Sequence, residues 1–248
     1  MPAAQSGAPP RRRRTPHSHP RSAAQGHHLR LLRHPGPLAG RHAPGGRRDP
    51  RPAPGGGGAA GAGRRDGGAA AGGGGEEQQR PPFRAYPAIL QASLTQALAE
   101  AGHAATPDDL VLLRSILGRI APHPEVPAAL ARLRTRYRIG IISNTDDELI
   151  AGTVAAIGTP VDFVVTAQQA RAYKPDHRLF LHAHAGMGVA KEETIHVGMG
   201  QFTDLKVCRE LGIRSVWIDR DSEALDPAWQ PDAVLQDLAG LPALLLPG

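Results

Sequence analysis

The sequence contains a single cysteine, Cys208, so no disulfide can form within the chain. Low cysteine use is typical of proteins kept in the reducing cytosol. No apolar stretch approaches the roughly 20 residues that a membrane-spanning helix needs. The basic start of the chain is not followed by the apolar stretch of a secretory signal. We therefore expect a cytoplasmic protein that neither spans a membrane nor depends on disulfides.

Aromatic residues are also scarce, at 4% of the 248 residues, whereas glycine (30) and proline (24) are abundant. The first 80 residues contain fourteen arginines, no lysine, no aromatic residue and four acidic residues, while the remainder has 15 basic and 19 acidic residues. A segment of this composition cannot bury enough apolar surface to offset the entropy lost on ordering it. We therefore predict that residues 1–80 are a disordered Arg/Pro/Gly-rich segment.

Two ligands could be imagined for this basic segment, and we expect neither of them. Arginine runs neutralise nucleic-acid phosphates, but the segment lacks aromatic side chains that would stack on bases. His27 and His28 are adjacent in sequence, and neither helix nor strand geometry directs both side chains easily at one metal ion. The sequence thus predicts no metal site and no nucleic-acid partner.

From Pro82 onward the hydrophobic pattern is typical of an α/β domain. Strands that alternate with single helices predict βαβ crossovers, a parallel sheet and a three-layer sandwich. We predict one unit over residues 81–121 and an α/β core over residues 122–248. The predicted helices cover residues 83–102, 106–117, 126–137, 147–157, 176–187, 204–211 and 238–245, and the predicted strands cover residues 139–142, 162–165, 194–197, 215–218 and 233–235.

Three polar clusters stand at or just past predicted strand ends: Ser143, Asn144 and Thr145, then Lys174, then Asp204. Each has an ordinary structural interpretation, respectively as a helix cap, a solvent-facing lysine before proline, and an acidic N-cap. The carboxyl ends of parallel strands are, however, the edge where α/β sheets bind ligands. We predict that the clusters meet at this edge and bind a small anionic substrate.

Together these clusters resemble the haloacid dehalogenase superfamily, in particular its L-2-haloacid dehalogenase branch. The resemblance covers residues 83–245 and is carried by IGIISNTDDELI, VVTAQQARAYKPDHRLF, TIHVGMGQFTDLKVCRELGIRSVWIDR and PDAVLQDLAGLPALL. It implies a Rossmann-like core with part of a helical cap over residues 81–121. It also implies hydrolysis of the carbon–halogen bond of a small 2-haloacid through an aspartyl ester, without a cofactor.

The resemblance also implies roles for the polar clusters. Ser143, Asn144 and Thr145 would bind the substrate carboxylate or the leaving group. Lys174 would keep the attacking carboxylate ionised, and Asp204 would orient the hydrolytic water. Residues 200–203 depart from the polar and aromatic pattern of the family, which leaves open the identity of the substrate.

The family nucleophile is absent from residues 1–82. It is the first Asp of Asp-x-(Asp or Tyr)-Gly-Thr, at the end of a strand in the middle of the sheet. Shifted by one base, the codons of Gln25–Gly36 permit K-A-I-T-F-D-C-Y-G-T-L-V, with the Asp straddling the codons of Arg30 and Leu31. We interpret the residues up to about position 75 as translated out of frame. At Leu32 the shifted codon permits the Tyr of dehalogenases but not the Asp of magnesium-dependent phosphatases.

The chain as translated should therefore lack both the attacking carboxylate and the central strand, and we expect little or no activity. Two alternatives stay open. One is a magnesium-dependent small-molecule phosphatase of the same superfamily. The other is a non-catalytic protein of this fold with a basic nucleic-acid-binding arm. The sequence also leaves open the stereospecificity and the oligomeric state, including a homodimer.

Overall fold

The computed structural model describes residues 28–33 and 74–246. These form β1 (His28–Arg33), α1 (Gly74–Gln79), α2 (Tyr86–Glu100), α3 (Pro107–Leu117), α4 (Val126–Leu133), β2 (Tyr137–Ser143), α5 (Asp147–Ile157), β3 (Phe163–Thr166), α6 (Ala167–Ala170), α7 (His177–Met187), β4 (Thr194–Gly198), α8 (Lys206–Leu211), β5 (Arg214–Ile218), β6 (Ala233–Leu235) and α9 (Leu241–Leu245). A π-helical turn, Gln201–Leu205, leads into α8. Among these helices, none is both long and apolar enough to cross a membrane.

The strands form one six-stranded sheet in the order β3-β2-β1-β4-β5-β6. The pairs β2–β3, β4–β5 and β5–β6 are parallel, as the alternation of helices and strands predicts. β1 is antiparallel to both of its neighbours, β2 and β4. The prediction of a parallel α/β sheet is therefore confirmed outside the central strand.

The central strand is the main difference from the sequence prediction, which left this position empty. β1 comes from within the segment predicted to be disordered, and it pairs His28 with Ile142 and Arg33 with Tyr137. Without it, β2 and β4 would each present a row of unpaired backbone N–H and C=O groups. A strand can form hydrogen bonds with such a row whether it runs parallel or antiparallel to it. α1 also lies within residues 1–80, the segment predicted to be disordered. Residues 1–27 and 34–73 of that segment lie outside the described residues.

Helices cover both faces of the sheet, because successive strand residues point to opposite sides. Ile139 and Ile141 of β2 pack with Leu130, Leu133 and Leu241 of α4 and α9. Ile142 belongs to a second core, which α7 and α8 cover. The three-layer sandwich predicted from the sequence is thereby confirmed.

Several helix ends follow local sequence signals, but the helices predicted to begin at residues 83, 204 and 238 begin later, at Tyr86 (α2), Lys206 (α8) and Leu241 (α9). Thr106 and Asp109 form the capping box that begins α3, and Asp146 caps α5 by accepting a hydrogen bond from the Leu149 N–H at 2.7 Å. The predicted helix 126–137 is too long, since α4 ends at Leu133. Tyr137 instead begins β2, where its ring is buried and its hydroxyl donates to the Leu245 carbonyl at 3.1 Å.

Candidate active site

The carboxyl end of β2 is joined to the lysine loop by a side-chain amide. The Asn144 Oδ1 accepts a hydrogen bond from the Lys174 backbone N–H at 2.7 Å, and its Nδ2 donates to the Lys174 carbonyl at 3.2 Å. Ser143 and Thr145, on either side of Asn144, are both buried. Asn144 therefore holds the loop between α6 and α7 against the end of β2 with two hydrogen bonds.

Lys174 is buried, with 1% of its surface exposed, and so differs from the solvent-facing lysine of the ordinary interpretation. Its Nζ donates to Asp204 Oδ1 at 3.1 Å and to the Ile142 carbonyl at 3.3 Å. Burial away from water lowers the pKa of Lys174, while the Asp204 carboxylate opposes that shift. The three predicted clusters thus meet at one edge of the sheet.

Asp204 is the centre of this arrangement and has no exposed surface. Its Oδ1 lies 2.9 Å from His196 Nε2 and 3.1 Å from Lys174 Nζ. Its Oδ2 accepts from the Thr203 hydroxyl at 2.9 Å and from the Gly200 N–H at 3.3 Å. Asp204 lies inside the π-helical turn and is therefore not the helix N-cap that its position in the sequence allowed.

The residues before Asp204, which depart from the family pattern, form the turn that holds it. A Cβ on Gly200 would lie 2.0 Å from the Thr203 Oγ1 and 2.9 Å from the Asp204 Oδ2. Only glycine leaves room for this approach. Sequence reasoning missed both Gly200 and His196. A signal for His196 existed, because a histidine within a buried strand needs a polar partner.

α1 also contributes to the site, which the sequence did not indicate. The Gln78 Oε1 accepts from Asn144 Nδ2 at 3.2 Å, and the Gln79 Nε2 donates to the Lys174 carbonyl at 3.1 Å. Two amide side chains from α1 therefore lie against the Asn144–Lys174 clamp.

The chain after α1 is fastened next to this clamp by Tyr173. Its ring stacks on Phe83 at a centroid distance of 5.1 Å, and its hydroxyl donates to the Arg84 carbonyl at 2.9 Å. Burial raises the pKa of Tyr173 above its ordinary value, and Tyr86 adds to this shift. The hydroxyl therefore stays protonated and keeps this hydrogen bond.

The central strand brings no carboxylate to this edge. β1 has the sequence HLRLLR, and the first acidic residue of the chain is Asp49. β1 runs opposite to β2, so His28 is the β1 residue that pairs next to the carboxyl end of β2. An attacking carboxylate is thus missing from the described strand.

The described residues do not fit a magnesium ion. Both Asp204 oxygens already accept two hydrogen bonds each, one of them from the Lys174 ammonium. In the part of the chain that the structure describes, no group of three or more His, Cys, Asp or Glu residues is placed to hold a metal. We therefore assign no chemical step to a metal.

Three curated proteins with sequence similarity have related activities or names. The chain is 34% identical over 119 residues to a phosphoserine phosphatase of Thermus thermophilus (47% of this chain, 48% of the relative). It is 36% identical over 109 residues to haloacid dehalogenase-like hydrolase domain-containing protein 3 of Danio rerio (43% and 45%). It is 32% identical over 118 residues to haloacetate dehalogenase H-2 of a Moraxella species (46% and 52%). The chain spans about half the length of the curated relatives it matches.

Solved structures share the fold. The L-2-haloacid dehalogenase of Xanthobacter autotrophicus, with chloropropionic acid covalently bound, matches with a TM-score of 0.61 at 20% identity, over 66% of this chain and 76% of that one. A phosphatase of the same fold from Thermococcus onnurineus matches with a TM-score of 0.53 at 20% identity, over 70% and 78%. A family model, haloacid dehalogenase-like hydrolase, matches residues 63–212, well over half of the chain. The chain therefore belongs to the haloacid dehalogenase-like hydrolase family.

Proposed function

We propose that this site is the larger part of a hydrolytic dehalogenase centre for small 2-haloacids. Lys174 and Asp204 are its catalytic residues, and Ser143, Asn144 and Thr145 bind the substrate. The chain as translated does not turn over, because its central strand carries no attacking carboxylate. The observation that carries the proposal is the buried Lys174–Asp204 pair, with an Nζ–Oδ1 distance of 3.1 Å at the ligand-binding edge of the sheet.

A buried ion pair is a weak source of stability, because desolvation of the two charges offsets much of their attraction. Perturbed ionisable groups at such an edge are therefore candidates for catalysis. The positive charge of Lys174 attracts a second carboxylate, which is the attacking group of the complete centre. That group then lies at the edge of the sheet where a small anionic substrate binds. Relatives named as haloacetate and (S)-2-haloacid dehalogenases support this substrate class.

The reaction has two steps in the complete centre. A carboxylate displaces halide from the α-carbon of the 2-haloacid and forms an ester with the enzyme. Water then cleaves that ester, which releases a 2-hydroxy acid and a proton and restores the carboxylate. Lys174 keeps the attacking carboxylate ionised and offsets its charge, while Asp204, whose two oxygens each already accept two hydrogen bonds, holds Lys174 in place.

The frameshift hypothesis explains why the carboxylate is missing. The codons that would encode the family's first strand in the shifted frame are those of residues 25–36, and β1 lies within that range. Their product occupies the central position of the sheet. The gene sequence upstream of codon 80 tests this hypothesis: an uninterrupted frame with even ribosome coverage through codons 20–80 contradicts it.

Halide release from 2-chloropropionate tests the proposed function. We expect none from the chain as translated and steady release from the frame-restored protein. In that protein, Lys174→Ala should lower kcat at least about a hundredfold, whereas the exposed Lys191→Ala should leave kcat unchanged. Turnover by the chain as translated, or near-normal kcat in Lys174→Ala, would overturn the proposal.

A phosphatase is the second candidate, favoured by the similarity to the Thermus phosphoserine phosphatase. The four hydrogen bonds to Asp204 and the shifted codon at Leu32 both oppose it. The frame-restored protein, assayed for phosphate release from phosphoserine with magnesium and with a chelator, separates the two candidates. Chelator-sensitive phosphate release without halide release would establish the phosphatase.

A further inference from the structure

A polar cavity lies at the amino end of β5, the opposite end of that strand from the candidate active site. It has a volume of about 360 Å³ and is bordered by the end of α8, the start of β5 and the residues just before β6. Its polar lining consists of Arg209, Arg214, Ser215, Gln230 and Asp232. Cavities that bind small molecules have volumes of about 300–1,000 Å³. This cavity is therefore large enough for a small ligand.

Two of the lining side chains are positively charged. Arg209 belongs to α8, Arg214 begins β5, and both residues are exposed. Within the part of the chain that the structure describes, neither guanidinium forms an ion pair or a hydrogen bond. A cleft in which charges of one sign predominate attracts ligands of the opposite sign. The two arginines therefore indicate an anionic ligand.

The end of α8 would by itself repel an anion, because the last carbonyl groups of a helix carry partial negative charge. Lys191 offsets this effect, since its Nζ donates to the Leu211 carbonyl at 2.9 Å. A Cβ on Gly212, which lines the cavity, would lie 3.2 Å from the same Nζ. A third positive charge therefore lies close to the cavity.

Ser215 adds a hydroxyl group to the cavity lining. The residue is only 4% exposed, and its backbone is fixed by Asp232. The Asp232 Oδ2 accepts from the Ser215 N–H at 2.7 Å, and the Asp232 N–H donates to the Ser215 carbonyl at 2.9 Å. Among the described residues, none forms a hydrogen bond with the Ser215 hydroxyl. Buried polar groups are satisfied by a partner, so this hydroxyl is available to a ligand or to water.

The lining has donors for a phosphate and acceptors for hydroxyl groups. Guanidinium forks match phosphate oxygens, and the Ser215 hydroxyl is a further donor. Asp232 uses one carboxylate oxygen for Ser215, and within the described residues neither its other oxygen nor the Gln230 amide has a hydrogen-bond partner. We propose that this cavity binds a small organic phosphate that carries hydroxyl groups. The proposal does not depend on the proposed hydrolase function.

Isothermal titration calorimetry of the chain as translated with glycerol 3-phosphate, at about 150 mM salt, tests the site. We expect saturable binding with a Kd below about 1 mM, and Arg209→Ser and Arg214→Ser should each raise the Kd about tenfold. Arg136→Ser is the matched control, because Arg136 is exposed next to the start of β2, and it should leave the Kd unchanged. No saturable binding, or a Kd that both cavity variants leave unchanged, would overturn the proposal.

Gln230→Ala tests the hydroxyl part of the proposal. It should raise the Kd for glycerol 3-phosphate about threefold and leave the Kd for inorganic phosphate unchanged, because only the organic ligand has hydroxyl groups on carbon. The unaltered chain should bind glycerol 3-phosphate more tightly than inorganic phosphate. Equal Kd values for these two ligands would overturn the assignment of an organic phosphate.

Thermal melts show whether each variant is folded, so that lost binding is not confused with unfolding. A ligand that binds only the folded state raises the melting temperature. Glycerol 3-phosphate should therefore raise the melting temperature of the unaltered chain and of Arg136→Ser more than that of Arg214→Ser. An equal rise in Arg214→Ser would contradict binding in this cavity.

Discussion

Two regions of the molecule depart from the usual pattern of burial in opposite directions. At the carboxyl edge of the sheet, Lys174 is 1% exposed, whereas Leu112 on α3 is 59% exposed. The buried charge has its partners within the chain, namely Asp204 and the Ile142 carbonyl. The Leu112 side chain, in contrast, is left mostly in contact with water. The site is therefore held together by contacts within the fold, whereas Leu112 on α3 faces solvent.

The largest effect should come from breaking the buried pair. Asp204→Ala leaves the Lys174 ammonium buried without its counter-ion and should lower the free energy of unfolding by about 3–5 kcal/mol. Urea denaturation measures the loss. The double variant Lys174→Met with Asp204→Leu removes both charges and should recover most of it. A loss below about 1 kcal/mol in Asp204→Ala would show that the pair is exposed to water in solution.

A smaller loss should follow from filling the space beside Asp204. Gly200→Ala places a Cβ against Thr203 and Asp204, so we expect a loss of about 1–3 kcal/mol. Gly186→Ala, in α7, is the control, because no atom lies within 4 Å of its added Cβ. That control should gain about 0.5–1 kcal/mol from helix propensity. Equal effects at the two glycines would contradict the tight turn around Asp204.

The stability of the fold should fall in acid, because the paired carboxylate of Asp162 becomes protonated. Partial burial opposes the charged form of Asp162, but hydrogen bonds from the Ile139 N–H and from Arg134 outweigh burial and lower its pKa. The pKa is lower when folded, so this stabilisation is complete above the unfolded value of about 3.9 and is lost as pH falls through the folded value.

Thermal melts between pH 7 and pH 3 measure this contribution. Asp162→Asn should lower the melting temperature at pH 7 and flatten its decline in acid. A parallel decline in the variant and in the wild type would mean that Asp162 does not carry the effect.

The smallest effect is expected on α3. Ile116→Ser should change the free energy of unfolding by less than about 0.5 kcal/mol, because the Ile116 side chain is 55% exposed. Leu130→Ala, at a position 1% exposed in the core, should cost about 2–5 kcal/mol. A large loss in the Ile116 variant would show that this side chain is buried in the folded protein in solution.

Most elements after residue 82 follow from hydrophobic period and capping residues. The α5 boundaries match the prediction, because Asp146 and Gly158 mark the two ends of a regular apolar pattern. The end of α4 does not match, since Tyr137 fits the apolar period of the helix equally well. Its burial and its hydrogen bond to Leu245 are long-range contacts that a local pattern does not contain.

The site was predictable only in part. Ser143, Asn144, Lys174 and Asp204 stand at strand ends, and parallel strands bring such ends to one edge. The contributions of α1 and His196 could not be inferred in the same way. Gln78 lies 66 residues from Asn144, and nothing local in either segment indicates that they meet.

The sequence by itself determined the α/β alternation, the position of the polar clusters at strand ends, and the absence of an acidic residue before Asp49. Only the tertiary structure decided that β1 fills the central position in the antiparallel direction and that Lys174 is buried against Asp204. The physical reason is that strand edges and buried charges are paired by residues far apart in the sequence, whereas helix and strand patterns depend on residues close together in the sequence.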